Sequence, residues 1–409
     1  MENPDTNTTA PTVRIEKWIY GGAGLGRIEG KVVLAPFTLP GEEVRFEILK
    51  QQRSMVEARP IEILSPAPER QPAPCPYFTR CGGCHYQHAP YDFQLAQKRA
   101  ILGEVLRRVG KLDPPEEIEV IAGPPWEYRN RSQFHLSKGE IGYLEAGSHR
   151  LCGVERCPIS SPRINEALAV LREMRHHHRF PRFLRSIELF TNETEVQLNV
   201  LATDLPGTHG VARGFFDWCS ERIPGATAGT LEYSTAHGAY RVGHHSFFQA
   251  NRFLIDPLVD SAIGGAEGEG AVDLYAGVGL FSLPLAKRFH KVTAVESGSG
   301  AAHDLAFNAG RADVSIAVEQ KPVEAYLESL QAAPDFILAD PPRAGLGKDV
   351  VRHLVRLQPP RLAIVACDPA TLARDLAPLI ATGYRIARLT LADLFPQTYH
   401  FETVVQLER

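Results

Sequence analysis

The sequence predicts a multidomain α/β protein: a small N-terminal β-barrel, a β-rich central domain with a cysteine cluster, and a C-terminal open α/β sheet with crossover helices. Three observations lead there. At 409 residues the chain exceeds one ordinary hydrophobic core. Residues 13 to 65 are short β-forming runs broken by glycine and proline. Residues 251 to 409 alternate apolar β-runs with helical stretches, the pattern of parallel strands joined by helices.

Composition narrows the class. Hydrophobic residues make up 44% and charged residues 22%, ordinary values for a soluble enzyme. No apolar run reaches the roughly 18 residues of a membrane span, and MENPDTNTTAPT has neither region of a signal peptide, so a cytoplasmic protein is expected. The net charge of −4 gives no overall basic character, which leaves nucleic-acid binding to local patches. Seven cysteines in such a chain point to a metal or cofactor site and not to a disulfide framework.

Residues 1 to 12 are polar and read as a disordered tail. VRIEKWIY, KVVLAPF, EEVRFEIL and MVEARPIEIL, punctuated by GGAGLGRIEG and LPGEE, then read as a five-stranded barrel over 13 to 65. The proline-rich SPAPERQPAPCP leads into CPYFTRCGGCHYQH and opens a central domain spanning 66 to 250. Cys75, Cys81 and Cys84 have C-x5-C-x2-C spacing, and a fourth thiolate would complete a set. Cys157 is followed by proline, as Cys75 is; Cys152 is nearby but lacks that proline. Zinc and iron both accept four sulfurs, so spacing leaves the metal open.

QLAQKRAILGEVLRRVG, 94 to 110, is predicted as a helix capped by its last glycine and packed on the catalytic domain. Strands are expected at IEVIAG, NRSQFHLS, SIELFT and EVQLNVLA, with one helix at 163 to 177, and Cys219 reads as a packed core residue. RNA contact is expected where cations and aromatics interleave, in LREMRHHHRFPRFLR with Phe180 and Phe183, and in YRNRSQFHL.

The chemistry lies in the last domain. AVDLYAGVGLFSLPLAKR reads as strand, glycine turn and helix, with Gly277 and Gly279 letting backbone approach a ligand at the strand's carboxyl end. The next strand ends in Glu296, where an acid binds two ribose hydroxyls. Ser282 replaces the third glycine of a dinucleotide fingerprint, so a nucleoside ligand without a pyrophosphate fits better, and S-adenosylmethionine is one. In DFILADPPRAGLG, Asp340 ends a strand beside the same crevice. In LAIVACDPATLARDL, a strand delivers Cys367 to that edge, and the helix that follows is expected to favour its thiolate. A thiolate there can attack C6 of a pyrimidine and turn C5 into a carbon nucleophile. Glu402, opening the last strand, is the expected base for the C5 proton.

SFFQAN at 246 to 251, DLYAGVGLFSLPLA, DPPRAGL, CDPATLARDL and FPQTYHFETV, in that order, resemble the RNA uracil-5-methyltransferase family. The resemblance implies a Rossmann-like class I methyltransferase domain in which Gln249, Tyr275, Glu296 and Asp340 bind S-adenosylmethionine, Cys367 is the nucleophile and Glu402 the general base. The barrel resembles the TRAM domain, an OB-like RNA-binding module. Iron-sulfur members of the family carry CGGC after an upstream cysteine and a fourth ligand in a later CP pair. This implies a [4Fe-4S] cluster on Cys75, Cys81, Cys84 and Cys157. The implied partner is RNA, 23S rRNA ahead of tRNA, acted on by a monomer without a membrane. The rival from another class is a zinc-ribbon RNA-binding protein with an inactive α/β domain, against which Cys367 and Glu402 together argue.

Overall fold

The computed structural model describes residues 10–204, 209–244 and 246–409, without the side chains of 209–213. Most of the expected N-terminal tail lies outside the described residues, and Thr12 already opens the first strand. The chain divides into two compact units, Met1–Ile101 with Gln397–Tyr399, and Leu102–Pro396 with His400–Arg409.

In the first unit β1 (Thr12–Trp18), β2 (Ala23–Ile28), β3 (Lys31–Pro36), β4 (Glu43–Gln51) and β5 (Met55–Ser65) close into a barrel in the order β1-β2-β3-β5-β4. Alternate residues face inward, among them Val13, Ile15, Val33, Ala35, Val44 and Phe46. β2 falls in the glycine-rich run that reads as punctuation. A Cβ at Gly24 would lie 2.3 Å from Thr38 Oγ1, and one at Gly26 2.4 Å from the Arg14 carbonyl oxygen. These glycines serve close strand packing, not a turn. Residues 66–90 form turns without helix or regular strand, and α1 (Tyr91–Val105) follows.

In the second unit the chain leaves α1 through a π-helical turn, Leu106–Gly110, capped by Lys111 in the left-handed region (φ 55°). Gly110 is therefore not the cap. It is where the turn presses on the next layer, since a Cβ there would lie 2.9 Å from the Ala373 carbonyl oxygen.

β6 (Glu119–Ile121), β7 (Arg131–Ser137), β8 (Glu140–Leu144), β9 (Leu151–Gly153), α2 (Pro162–Met174), β10 (Leu184–Thr191), β11 (Val196–Thr203), α3 (His209–Arg222) and β12 (Ala226–Thr227) come next. All these strands except β6 form a six-stranded sheet, β12-β11-β10-β7-β8-β9. Ser161 caps α2 by accepting the Ile164 N–H, with Pro162 at the first helical position. The sequence pattern gives no sign of α3, on which Cys219 is buried with its thiol pushed up to about 12 by burial.

The hairpin β13 (Leu231–Thr235) and β14 (Gly238–Val242) precedes α4 (Ile255–Ile263), β15 (Gly268–Leu274), α5 (Ser282–Leu285), β16 (Phe289–Val295), α6 (Ser299–Arg311), β17 (Ile316–Glu319) and α7 (Val323–Ser329). After these come β18 (Phe336–Ala339), α8 (Gly347–Leu357), β19 (Arg361–Ala366), α9 (Pro369–Ala381), β20 (Arg385–Ala392) and β21 (Glu402–Glu408). The sheet order is β17-β16-β15-β18-β19-β21-β20-β6, with β21 antiparallel to both neighbours. β6, expected in the central domain, is the parallel edge strand beside β20. Tyr233, Tyr240 and Phe248 share one core with Leu280, Phe281, Leu338 and Val365, so residue 250 does not separate two cores. Among the described residues no helix is long and apolar enough to cross a membrane.

Candidate active site

The parallel strands β16, β15, β18 and β19 end at one edge, where open α/β sheets bind ligands. Leu274 pairs with Val295 and with Ala339, so the residues one step beyond, Glu296, Tyr275 and Asp340, stand side by side. Ala366 pairs with Thr403 on the antiparallel β21. Cys367, leaving β19, therefore stands opposite Glu402, opening β21. Only a reversed strand can bring its first residue to an edge made by the last residues of its neighbours.

The cofactor side is built from backbone. Tyr275, Gly277 and Gly279 have φ of 62°, 55° and 94°. A Cβ on Gly277 would meet nothing within 4 Å, so space opens over the turn. The Glu296 carboxylate accepts the Gly277 N–H at 2.9 Å and the Gly298 N–H at 2.6 Å. Ser282 donates its hydroxyl to the buried Asp273 carboxyl, whose pKa burial raises to about 7. Asp304 accepts from the Ser246 hydroxyl at 2.8 Å and the Gly243 N–H at 2.7 Å, which pins the loop carrying Gln249, itself only 5% exposed. Burial, then Glu324 and Asp375, pushes the Tyr275 hydroxyl up. An open cradle beside a carboxylate, without the third glycine of a pyrophosphate seat, fits S-adenosylmethionine.

The Cys367 side is apolar and acidic. Burial, then the Glu402 and Asp340 carboxyls, pushes the Cys367 thiol up to about 12, against the opposing charge of Arg343. The expected thiolate at a helix N-terminus is thus not the resting form. The first free amides of α9 are taken by Asp368 Oδ1, which accepts the Ala370 and Thr371 N–H groups at 2.9 Å each. Glu402 is 7% exposed and its carboxyl is raised well above the usual range by burial, then by Asp340, with Arg343 opposing. Asp340 is raised to about 7 by burial. A narrow cavity beside Cys367 is walled by Pro341, Pro342, Asp368 and Thr371.

Sequence reasoning missed the residues that hold this side. Asp375, 4% exposed on α9, accepts the Leu346 N–H at 2.7 Å, and Arg374 donates to the Ala344 carbonyl at 2.8 Å. A Cβ on Gly345 (φ 80°) would lie 2.4 Å from Asp375 Oδ2. Together they clamp the loop that carries Asp340 and Arg343. The available signal was the Arg-Asp pair inside CDPATLARDL, charged residues on an otherwise apolar helix.

Cys75, Cys81 and Cys84 belong to the first unit and Cys157 to the second. Among the described residues no group of three or more His, Cys, Asp or Glu side chains is gathered to hold a metal ion. The Gly83 N–H points at Cys81 Sγ at 3.4 Å, and the Cys75 N–H donates to Gln87 Oε1 at 3.2 Å. Asn165 fixes the Cys157 backbone, accepting its N–H at 2.8 Å and donating to its carbonyl at 3.0 Å. Cys152 is fully buried in β9, paired across the sheet with Tyr143.

The structure overturns only part of the expected stacking surfaces, for Phe183 is half-buried. Tyr128, Phe134 and Phe180 are buried, and Arg131 is committed to Glu188 at 2.8 Å and to the Phe190 ring. Apolar rings with no polar partner outside go to the core. The exposed cations of 171–185 remain on the surface, among them Arg179 and Arg182.

A family profile described as tRNA (Uracil-5-)-methyltransferase matches residues 324–409. The chain is 33% identical to the 23S rRNA (uracil(1939)-C(5))-methyltransferase RlmD of Chromohalobacter salexigens, over 98% of this chain and 90% of the relative. It is 30% identical to an uncharacterized RNA methyltransferase of Aquifex aeolicus, over 96% and 97% of the two chains. The solved structure of the Pyrococcus abyssi tRNA (uracil-54, C5)-methyltransferase in complex with S-adenosyl-L-homocysteine is similar at a TM-score of 0.77 and 25% identity, covering 97% of this chain and 99% of that one. With the cofactor cradle and the cysteine at one sheet edge, these likenesses lead to one conclusion: the chain belongs to the RNA uracil-5-methyltransferase family and is an S-adenosylmethionine-dependent enzyme that methylates uracil C5 in RNA.

Proposed function

We propose that the enzyme methylates C5 of a uridine in ribosomal RNA, through a transient bond between Cys367 Sγ and C6 of the ring and with Glu402 as the base. The observation that carries this reading is the register that sets Cys367 across from Glu402. Gln249, Tyr275, Glu296 and Asp340 would hold S-adenosylmethionine, which when bound supplies an electrophilic methyl group. Uracil C5 alone is too weak a nucleophile.

Cys367, after losing its proton to solvent, forms the S–C6 bond, and the displaced π electrons raise the charge on C5 and the C4 oxygen. Attack thereby spreads the sulfur's negative charge over C5 and the C4 oxygen, which relieves the burial that, with Glu402 and Asp340, holds the thiol neutral at rest. Once C5 carries the methyl group, the Glu402 carboxylate takes the C5 proton. The freed pair re-forms the C5–C6 double bond, and the C6–S bond breaks to return Cys367. Burial that raises the pKa of Glu402 makes its anion the stronger base for this step. The base must leave its stack to reach Cys367, so single-stranded or loop RNA is the substrate form.

Ribosomal RNA is preferred to tRNA because the rRNA-modifying relative is 33% identical over nearly the whole chain, against 25% for the tRNA enzyme. The enzyme is proposed to act as a cytoplasmic monomer, with the barrel as an RNA-binding module. Cys75, Cys81, Cys84 and Cys157 are proposed ligands of a [4Fe-4S] cluster with a structural role, a reading supported by the all-cysteine donor set and the amide directed at Cys81 sulfur.

Denaturing electrophoresis of enzyme incubated with RNA tests the chemistry. Cys367→Ala should give no adduct and no product, whereas Glu402→Gln should accumulate a methylated covalent adduct. An active Cys367→Ala enzyme would end the proposal. A methylation map of RNA from a deletion strain decides between rRNA and tRNA. Anaerobically purified protein should contain about four irons per chain, as such a cluster requires; stoichiometric zinc without iron would exclude the cluster.

A further inference from the structure

A groove of about 460 Å³ in the second unit lies between the β7–β8 turn and the segment linking α2 to β10. Its floor is apolar, with Leu136, Phe180 and Leu184, and its rim carries Lys138, Arg182 and Arg185. Arg175 also lines it, and that side chain is only 9% exposed. One of its nitrogens, Nη2, meets Glu140 Oε1 at 3.2 Å, while buried Nε and Nη1 have no hydrogen-bond partner. Unmade donors on a buried guanidinium are costly, and a planar fork of donors matches a phosphate. Glu140 is half exposed on the rim, so a competing anion can reach its partner. Arg185 is tied to Asp204, but among the described residues neither Lys138 nor Arg182 has an ion-pair partner.

We propose that this groove is a phosphate subsite that takes a backbone phosphate of the RNA, with Arg175 as its buried anchor and Lys138 and Arg182 as its rim. The proposal rests on the RNA reading above and adds a contact outside the catalytic edge. Among the groove's lining residues His176 is the exposed ring and Glu140 the carboxylate, against three rim cations and Arg175, so its contacts suit a backbone phosphate more than a base edge. In the free enzyme Glu140 stands where the phosphate would, and holds Arg175 until RNA displaces it.

The test is binding of a single-stranded oligouridine to the full-length protein across a salt series, with S-adenosylmethionine affinity as the folding control. The Lys138→Ala, Arg182→Ala double variant should bind several-fold more weakly, and its log–log salt slope should fall by roughly 1 to 2. Glu140→Gln should bind several-fold more tightly, because it removes the competing anion; a purely structural ion pair predicts the opposite. Unchanged affinity and slope in the double variant, or weaker binding by Glu140→Gln, would overturn the subsite. Inorganic phosphate and uridine monophosphate form a second arm: if the double variant loses these while its RNA affinity stays at wild type, the groove serves a free anion and the proposal is wrong. Methylation by wild type together with a failed groove test would sink only the subsite, whereas a wild type that neither binds nor methylates RNA would sink the parent reading.

Discussion

Glu296 and Glu402 stand at the same sheet edge, one ending β16 and the other opening β21, and their surroundings are opposite in kind. Glu296 receives two backbone amides, from Gly277 and Gly298. Glu402 is buried beside Asp340 and the Cys367 thiol, and only the Arg343 guanidinium favours its charge. On the cofactor side a carboxylate is met by two backbone donors. Around Cys367 burial disfavours charge on the thiol and on both acids.

The strongest way to break this comparison is to remove the group whose charge must move. Cys367→Ala should lower methylation by on the order of 10⁴ or more, as nucleophile removal does elsewhere. Single-turnover assays measure it. Glu402→Gln should cost roughly 10² to 10⁴ in turnover, the range of a lost general base, while attack by Cys367 speeds up. The second effect sharpens the comparison, since the substitution removes one of the acids that push the thiol up. Adduct formation by wild type should rise about tenfold per pH unit between roughly pH 6 and 9, because the thiol lies near 12. The Glu402→Gln profile should be displaced to lower pH. A wild-type rate flat across that range would remove the suppressed thiol from the account.

On the cofactor side, Glu296→Ala should weaken S-adenosylmethionine binding by about 10- to 100-fold, the cost of one to two charge-assisted hydrogen bonds, with adduct chemistry preserved. Calorimetry gives the value.

A smaller effect concerns stability. Asp340 is raised from an ordinary value near 3.8 to about 7, so it favours folding while protonated. That contribution is complete below the unfolded pKa and is lost as pH rises to about 7. Asp340→Asn should therefore unfold at higher denaturant than wild type at pH 8, by about 1 to 3 kcal/mol, and equally at pH 3. Smallest of all, Gly345→Ala should destabilise by about 1 kcal/mol or more through its left-handed backbone and the crowding of Asp375. It should also slow turnover by loosening the loop that holds Asp340.

Much of the catalytic sheet was legible because its motifs sit where strands end. Tyr275, Glu296, Asp340 and Cys367 each follow an apolar run, and the run itself locates the edge. Their electrostatics were not legible. The helix-dipole argument for Cys367 used only neighbours in sequence, whereas its thiol is governed first by burial and then by Glu402 and Asp340, which long-range pairing delivers, while Asp368 takes up amides at the start of the helix. The same limit explains β6, too short to declare its sheet, and β2, whose glycines answer to Thr38 and Arg14 across the barrel. For the four cysteines, spacing and likeness remain the argument.

The reversed β21 also constrains which length changes the chain tolerates. Side chains in a strand alternate faces, so a slip of one residue between Thr403 and Leu407 would turn Glu402 away from Cys367 and exchange two buried faces. Insertions and deletions in descendants of this chain should therefore leave the strand itself at constant length.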